Sequence, residues 1–251
     1  MYTIKSAREI AKMKTACMVV AEILQVLLEE TVAGMTTDDL DRRAEELIKK
    51  KGAVSAFKGY NGFPKVLCAS VNEEVVHGIP DGRVLKDGDI VGLDFGVHID
   101  GWYGDSAVTI PIGKVSAEAR KLMKITEESL YRGIEAAVPG NRLGDIGFAV
   151  QSHAEKNGYG VVRDFVGHGI GRALHEEPQV PNYGKKSTGI LLEPGMVLAI
   201  EPMITVGSYK VKVLKNNWTA VTSDGSLAAH FEHTIAVTET GPVILSDRAN
   251  L

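Results

Sequence analysis

The sequence predicts an α+β fold built twice over, each half supplying two helices followed by curved antiparallel strands. Three observations predict it. A helix-turn-helix pattern recurs at an offset of 106 residues, matching Leu24, Glu29, Val32, Gly34, Asp39 and Gly52 to Leu130, Glu135, Val138, Gly140, Asp145 and Gly158. Farther on, "LKDGDIVGLD" and "LEPGMVLAIE" align Gly88 with Gly195 and Asp94 with Glu201 at an offset of 107. The tripeptide His-Gly-Ile stands once in each half, at His77 and His168, which reads as a pair of related positions. Common turn chemistry recurring independently is the alternative, but the agreements fall in the same order along both halves.

From Ser6 to about Glu30 the apolar spacing is helical, and Ser6 with Glu9 opens the run as a capping box. The second helix starts in the Thr/Asp-rich "MTTDDL" and ends at Lys49-Lys50-Lys51, where cations suit the dipole and Gly52 the cap. The stretch "DIVGLDFGVHIDGWYGDSAVTI" alternates as two strands around Asp100-Gly101, a strong hairpin signal. Pairing across that turn sets Asp94 opposite Ala107 and Asp105 opposite Gly96. Both acids then share a face cleared by Gly92, Gly96 and Ala107, while Val91, Leu93, Phe95 and Val97 face a core. The segment "VPGNRLGDIGFAVQSHAEKNG" repeats the helix plan. Glu201 follows inside the apolar run "GMVLAIEPM", and "AAHFEHTIAV" puts Glu232 on a strand, in the place that Asp105 holds in its own half. Residues 1–251 read as one catalytic domain with halves of about 1–112 and 113–251.

Composition narrows the function. Hydrophobic and charged fractions of 44% and 24% are those of a soluble globular protein. A net charge of −4 offers no footprint for nucleic acid or an anionic membrane. Cys17 and Cys68 form no C-x-x-C pair, and neither a signal peptide nor a membrane-length apolar run is present, so a cytoplasmic location is expected.

Two acids on a cleared strand face repel each other unless a cation lies between them, and a glutamate in an apolar run needs a partner. Asp94, Asp105, Glu201 and Glu232 therefore read as carboxylates converging on a metal. His168 lies in "GHGIG", where glycines disfavour a helix; the spacing is neither a nucleotide fingerprint nor a P-loop. His175 follows seven residues later without forming a zinc-helix motif. His98 and His153 are expected to be solvated, and His230, on the strand face of Glu232, is placed to touch the site. "DFG" at Asp94 lacks the accompanying loops of a kinase.

Together "VNEEVVHGIP", "LDFGVHIDGWYGDSA", "GHGIGRALHEEPQVPNYG", "GMVLAIEPM" and "HFEHT" resemble the methionine aminopeptidases, and the resemblance runs essentially end to end. It implies the pita-bread fold, a pseudo-twofold sheet wrapped by helices. It also implies two divalent metal ions (Co, Mn, Fe(II) or Zn), held by Asp94, Asp105, His168, Glu201 and Glu232, with Asp105 and Glu232 bridging. One imidazole with four carboxylates is a hard donor set, favouring Mn, Fe(II) or Co over a thiolate-type zinc site. The implied reaction removes the initiator methionine before a small second residue, through attack of metal-activated water on the first peptide bond. Glu201 would shuttle the proton, His175 hydrogen-bond the scissile carbonyl, and His77 meet the peptide nitrogen or the intermediate. Tyr60, Phe63, Cys68, Leu174 and Trp218 would wall the methionine pocket, Leu174 standing where some relatives carry an aromatic residue. The short separation of Glu201 and Glu232 leaves no room for an inserted subdomain, and no zinc-binding extension precedes Ser6, as in the minimal bacterial type I form. Implied partners are nascent polypeptides and peptides with N-terminal methionine, with transient ribosome association, no membrane, and a monomeric state.

Overall fold

The computed structural model describes residues 2–249. Helix α1 (Ala7–Glu30) begins at the expected capping box, Ser6 N donating to Glu9 Oε2 at 2.9 Å and Glu9 N to Ser6 Oγ at 3.4 Å. Helix α2 (Thr37–Lys50) opens the same way, Thr36 N donating to Asp39 Oδ2 at 2.7 Å. In the second half come α3 (Ala117–Ala136) and α4 (Leu143–Lys156), where Arg142 N donates to Asp145 Oδ2 at 2.8 Å. Asp39 and Asp145, matched by the repeat, thus do the same work at two helix starts.

The strands of the first half are β1 (Val54–Ser55), β2 (Cys68–Val71), β3 (Glu74–Val76), β4 (Ile90–Ile99) and β5 (Trp102–Pro111). The second half adds β6 (Gly160–Val161), β7 (Gly167–Gly169), β8 (Glu176–Val180), β9 (Val197–Ile200) and β10 (Met203–Thr205). Then follow β11 (Val211–Val213), β12 (Ala220–Thr222), β13 (Ala228–His230), β14 (Glu232–Thr238) and β15 (Gly241–Ile244). The main sheet runs β1-β4-β5-β14-β9-β7-β8, with β2 on β4 and β15 on β14; β13-β10-β6 and β11-β12-β3 form two smaller sheets. The β4–β5 hairpin has the register read from its turn, Asp94 opposite Ala107 and Asp105 opposite Gly96. Val91, Leu93, Phe95 and Val97 are fully buried on the opposite face, each worth about 2 kcal/mol of transfer free energy.

The duplication is written in the hydrogen bonds. Gly88 N donates to Ile112 O and Ile112 N to Asp89 O, as Gly195 N does to Val237 O and Val237 N to Met196 O. The bridge Thr36↔Val84 recurs as Arg142↔Leu191. Gly96↔Asp105, Val97↔Gly104 and His98↔Tyr103 recur as Met203↔His230, Ile204↔Ala229 and Thr205↔Ala228. Thr109 Oγ1 donates to the His230 carbonyl and Thr234 Oγ1 to the Asp105 carbonyl, both at 2.8 Å, each reaching into the other half. Under these equivalences the pseudo-twofold axis passes between Ala107 and Glu232, a cross-strand pair whose members correspond to each other.

That register corrects two sequence readings. The counterpart of Asp105 is His230, and Glu232 answers to Ala107. The ladder is interrupted between β9 and β10, where Pro202 has no N–H to donate, yet the count of residues carries through the break. His77 and His168 are not counterparts either. Ser70↔Gly92 on β2–β4 recurs as His168↔Ala199 on β7–β9, so Ser70 holds the place of His168. The shared tripeptide has a local cause. A Cβ on Gly78 would lie 2.3 Å from Ala69 O, and one on Gly169 would lie 2.3 Å from Glu177 O, so only glycine fits behind either histidine. His98 and His153 are half-buried rather than solvated: His98 lies against Tyr103 with ring centroids 4.7 Å apart, and His153 Nε2 is 2.9 Å from Glu128 Oε2.

Candidate active site

Asp94 and Asp105 project from the cleared face of the β4–β5 hairpin, Glu201 leaves the end of β9, and Glu232 opens β14. His168 sits mid-way along β7, beside β9. Donor atoms of Asp105, His168 and Glu232, all buried, lie within 4.8 Å of one another and form a group able to hold a metal ion. Glu201 borders it, with Oε1 3.6 Å from His168 Nε2 and Oε2 3.5 Å from His230 Nε2. His168 Nδ1 is 2.9 Å from Gly169 O. A carbonyl only accepts, so Nδ1 carries the hydrogen and the Nε2 lone pair faces the acids.

Electrostatics set this cluster apart from a salt bridge. Burial first, then the charges of Asp105 and Glu201, push the Asp94 carboxyl well above its ordinary range. Burial and Glu201 do the same to Asp105. Glu232 is raised by burial and then by Asp105, Glu201 and Asp94, and burial lifts Glu201 to about 8. Asp105 Oδ1 and Glu232 Oε1 are buried without a hydrogen-bond partner among the described residues. Burial, with His175 nearby, lowers His168 to about 3, so its ring is neutral at pH 7. Four acids that cannot all ionise, with acceptor atoms left open, are an arrangement that a divalent cation relieves.

The cluster forms the floor of a cavity of about 220 Å³. Every candidate lies on its lining: Asp94, Asp105, His168, Glu201 and Glu232, then His77 and His175, then Tyr60, Phe63, Cys68, Leu174 and Trp218. His77 stands just after β3 with φ at +60, a conformation side chains rarely adopt, and its ring packs edge-on to Phe165 and Trp218. Burial, then His230 and His175, lower it to about 4. The neighbour of His175, Glu176, fixes the loop from the other side: its Oε1 accepts from Arg172 N at 2.6 Å and its Oε2 from Lys5 Nζ at 2.7 Å. Tyr60 Oη lies 2.7 Å from His175 Nδ1. Phe63 and Trp218 meet edge-on at 5.1 Å between centroids, and Leu174 is buried elsewhere on the lining, in the apolar cluster that Tyr60 packs against. Phe57 and Asn61 also line the cavity and were missed by sequence reasoning. They lie around a 3-10 turn with no periodicity to mark a face; proximity to Tyr60 was the one available signal.

An antiparallel sheet carrying an uncompensated acid cluster under an apolar cavity defines a metal-dependent hydrolase of the pita-bread class. The chain belongs to metallopeptidase family M24, whose model matches residues 11–239. It is 54% identical to the methionine aminopeptidase of Clostridium acetobutylicum over 98% of this chain and 99% of that one. It is 53% identical to methionine aminopeptidase 1 of Bacillus subtilis, covering 96% and 98%. The crystal structure of the methionine aminopeptidase from Thermotoga maritima superposes with a TM-score of 0.97 at 48% identity, covering 98% of this chain and 100% of that one. Among the described residues no helix is long and apolar enough to cross a membrane.

Proposed function

We propose that this chain is a methionyl aminopeptidase, removing the initiator methionine from newly made proteins and peptides and preferring a small second residue. The observation that carries the reading is a single cavity in which a buried acid cluster meets an apolar wall. Residues 1–251 act in it as one catalytic domain, with halves of about 1–112 and 113–251.

The donor set fits divalent metal, and we assign two ions to it. Acceptor atoms of Asp105 and Glu232 are buried and unpartnered, the His168 lone pair is directed at them, and the carboxyls are raised together by burial and then by mutual repulsion. Asp94, Asp105, His168, Glu201 and Glu232 would hold the ions, Asp105 and Glu232 being shared. Oxygen donors with one imidazole suit Mn, Fe(II), Co or Zn. Such ions, when bound, polarise a carbonyl and acidify water near neutral pH.

The chain's own residues do the rest. Glu201, set beside the cluster, takes the proton of the attacking water and returns it to the leaving amine. His175 is neutral at pH 7, lowered by burial, and donates from Nε2 to the scissile carbonyl as charge gathers on its oxygen. His77 meets the peptide nitrogen. Tyr60, Phe63, Cys68, Leu174 and Trp218 hold the methionine side chain and exclude water from it. The protein acts as a cytoplasmic monomer on nascent polypeptides, with transient contact to the ribosome.

The test is metal analysis of freshly purified protein beside release of methionine from Met-Ala-Ser and Met-Leu-Ser. Bound divalent metal and release from the first peptide alone are expected. No release from either peptide with Mn, Fe(II), Co and Zn in turn overturns the reading.

A further inference from the structure

The residue that the pseudo-symmetry singles out is one that does not touch the cavity. His230 holds the register place of Asp105: Met203↔His230 repeats Gly96↔Asp105, and the carbonyl of each is held by a threonine from the opposite half. Thr109 Oγ1 also accepts from His230 N at 2.9 Å, so both backbone polar groups of this residue are fixed. The side chain is 4% exposed, its Nε2 is buried with no hydrogen-bond partner, and the nearest acid oxygen is Glu201 Oε2 at 3.5 Å.

We infer that His230 is a positioning residue for Glu201, its imidazole presenting the Nε2–H to Glu201 Oε2. The inference rests on the reading of Glu201 as the proton carrier. Once Glu201 is ionised, as a bound cation would make it, an Nε2 lone pair at that point would face the carboxylate's own lone pairs, whereas an N–H satisfies both atoms across a gap that closes by a few tenths of an ångström. A carboxylate at this place, as in the other half, would add a further acid to a cluster already in mutual repulsion. A ring N–H donor instead turns Glu201 so that Oε1 stays on the His168 side. With its backbone tied at both ends, the ring has no slack through which to withdraw. A carboxylate held by one oxygen and free at the other keeps a defined geometry through the two proton transfers asked of it.

The experiment compares His230→Leu and His230→Gln with wild type, all loaded with the same metal, by calorimetric metal titration and by steady-state cleavage of Met-Ala-Ser. His230→Leu should keep the metal stoichiometry and KM within about twofold and lose about 10- to 100-fold in kcat. His230→Gln, which restores an N–H donor, should recover to within about fivefold of wild type. Long-range ¹H–¹⁵N spectra of the zinc-loaded wild type, in which Glu201 is ionised, should show His230 protonated at Nε2, a readout independent of turnover. The inference is overturned if His230→Leu keeps wild-type kcat, if glutamine rescues no better than leucine, or if either variant loses a metal equivalent, which would make His230 a ligand. Should His230→Leu fail to fold, the glutamine variant and the Nε2 protonation decide: a folded glutamine variant of low kcat, or an Nε2 without hydrogen, overturns it. A wild type that binds metal but releases no methionine would instead sink the proposed function and leave the Nε2 measurement standing.

Discussion

Removing the divalent cation should make the folded protein pH-sensitive in a direction opposite to that of most carboxylate-rich proteins. Burial raises Glu201 from an ordinary 4.5 to about 8 in the folded chain. A carboxyl raised on folding stabilises the fold fully below its unfolded value, and that stability drains away as pH rises through the folded value. Between pH 4.5 and about 8 this one side chain accounts for up to about 5 kcal/mol, because each pH unit of difference is worth about 1.4 kcal/mol. Asp94, Asp105 and Glu232 are raised in the same direction and steepen the loss. For a chain of this size about 5 kcal/mol corresponds to roughly 10–20 °C in Tm. The assay is thermal denaturation in chelator from pH 5 to 8.5 for wild type and Glu201→Gln, repeated with excess Mn. Metal-free wild type should lose Tm steeply as pH rises, Glu201→Gln should lose markedly less, and Mn should flatten both. A metal-free wild type whose Tm is level from pH 5 to 8, or a Glu201→Gln curve parallel to it, would refute the claim that uncompensated acids strain this site.

His168→Ala should lose metal and activity together in calorimetry and kinetics, whereas His77→Ala and His175→Ala should keep the metal; His175→Ala should cost about 10²–10³ in kcat. Asp94→Asn should empty mainly one metal position and Glu232→Gln weaken both, which titration of bound equivalents distinguishes. Gly78→Ala forces a Cβ to 2.3 Å from Ala69 O, so strand β2 or His77 must shift, and kcat should fall while metal binding persists.

The acid cluster was legible because strand geometry makes it so. Alternation with a period of two, anchored at Asp100-Gly101, fixes the β4–β5 register and with it the face of Asp94 and Asp105. Glu201 stood out as a charge in an apolar run. The helix starts were legible for a similar reason, since Ser6 with Glu9 closes its box within one turn. What misled was motif identity taken as structural identity. The His-Gly-Ile match records two places where backbone lies on a neighbouring carbonyl, and the sheet register that makes Ser70 the counterpart of His168 is not visible in side-chain types. The cavity-lining residues Phe57 and Asn61 sit in an irregular segment, where no period tells inside from outside.

The pairing of Ala107 with Glu232 bears on how such a site can come into being. Two identical half-length chains meeting at this line would set the same residue on both sides of it. Two glutamates would crowd like charges into one buried spot, and two alanines would leave no donor there at all. A lone carboxylate on the line is open only to halves that are written separately. The same holds for Asp105 and its histidine counterpart, where one half contributes an acid and the other a neutral ring. Parity therefore ties the chemistry to divergence: a homodimeric ancestor could offer its side chains only in equal pairs, and the uneven set now gathered around the acid cluster requires two halves of different sequence.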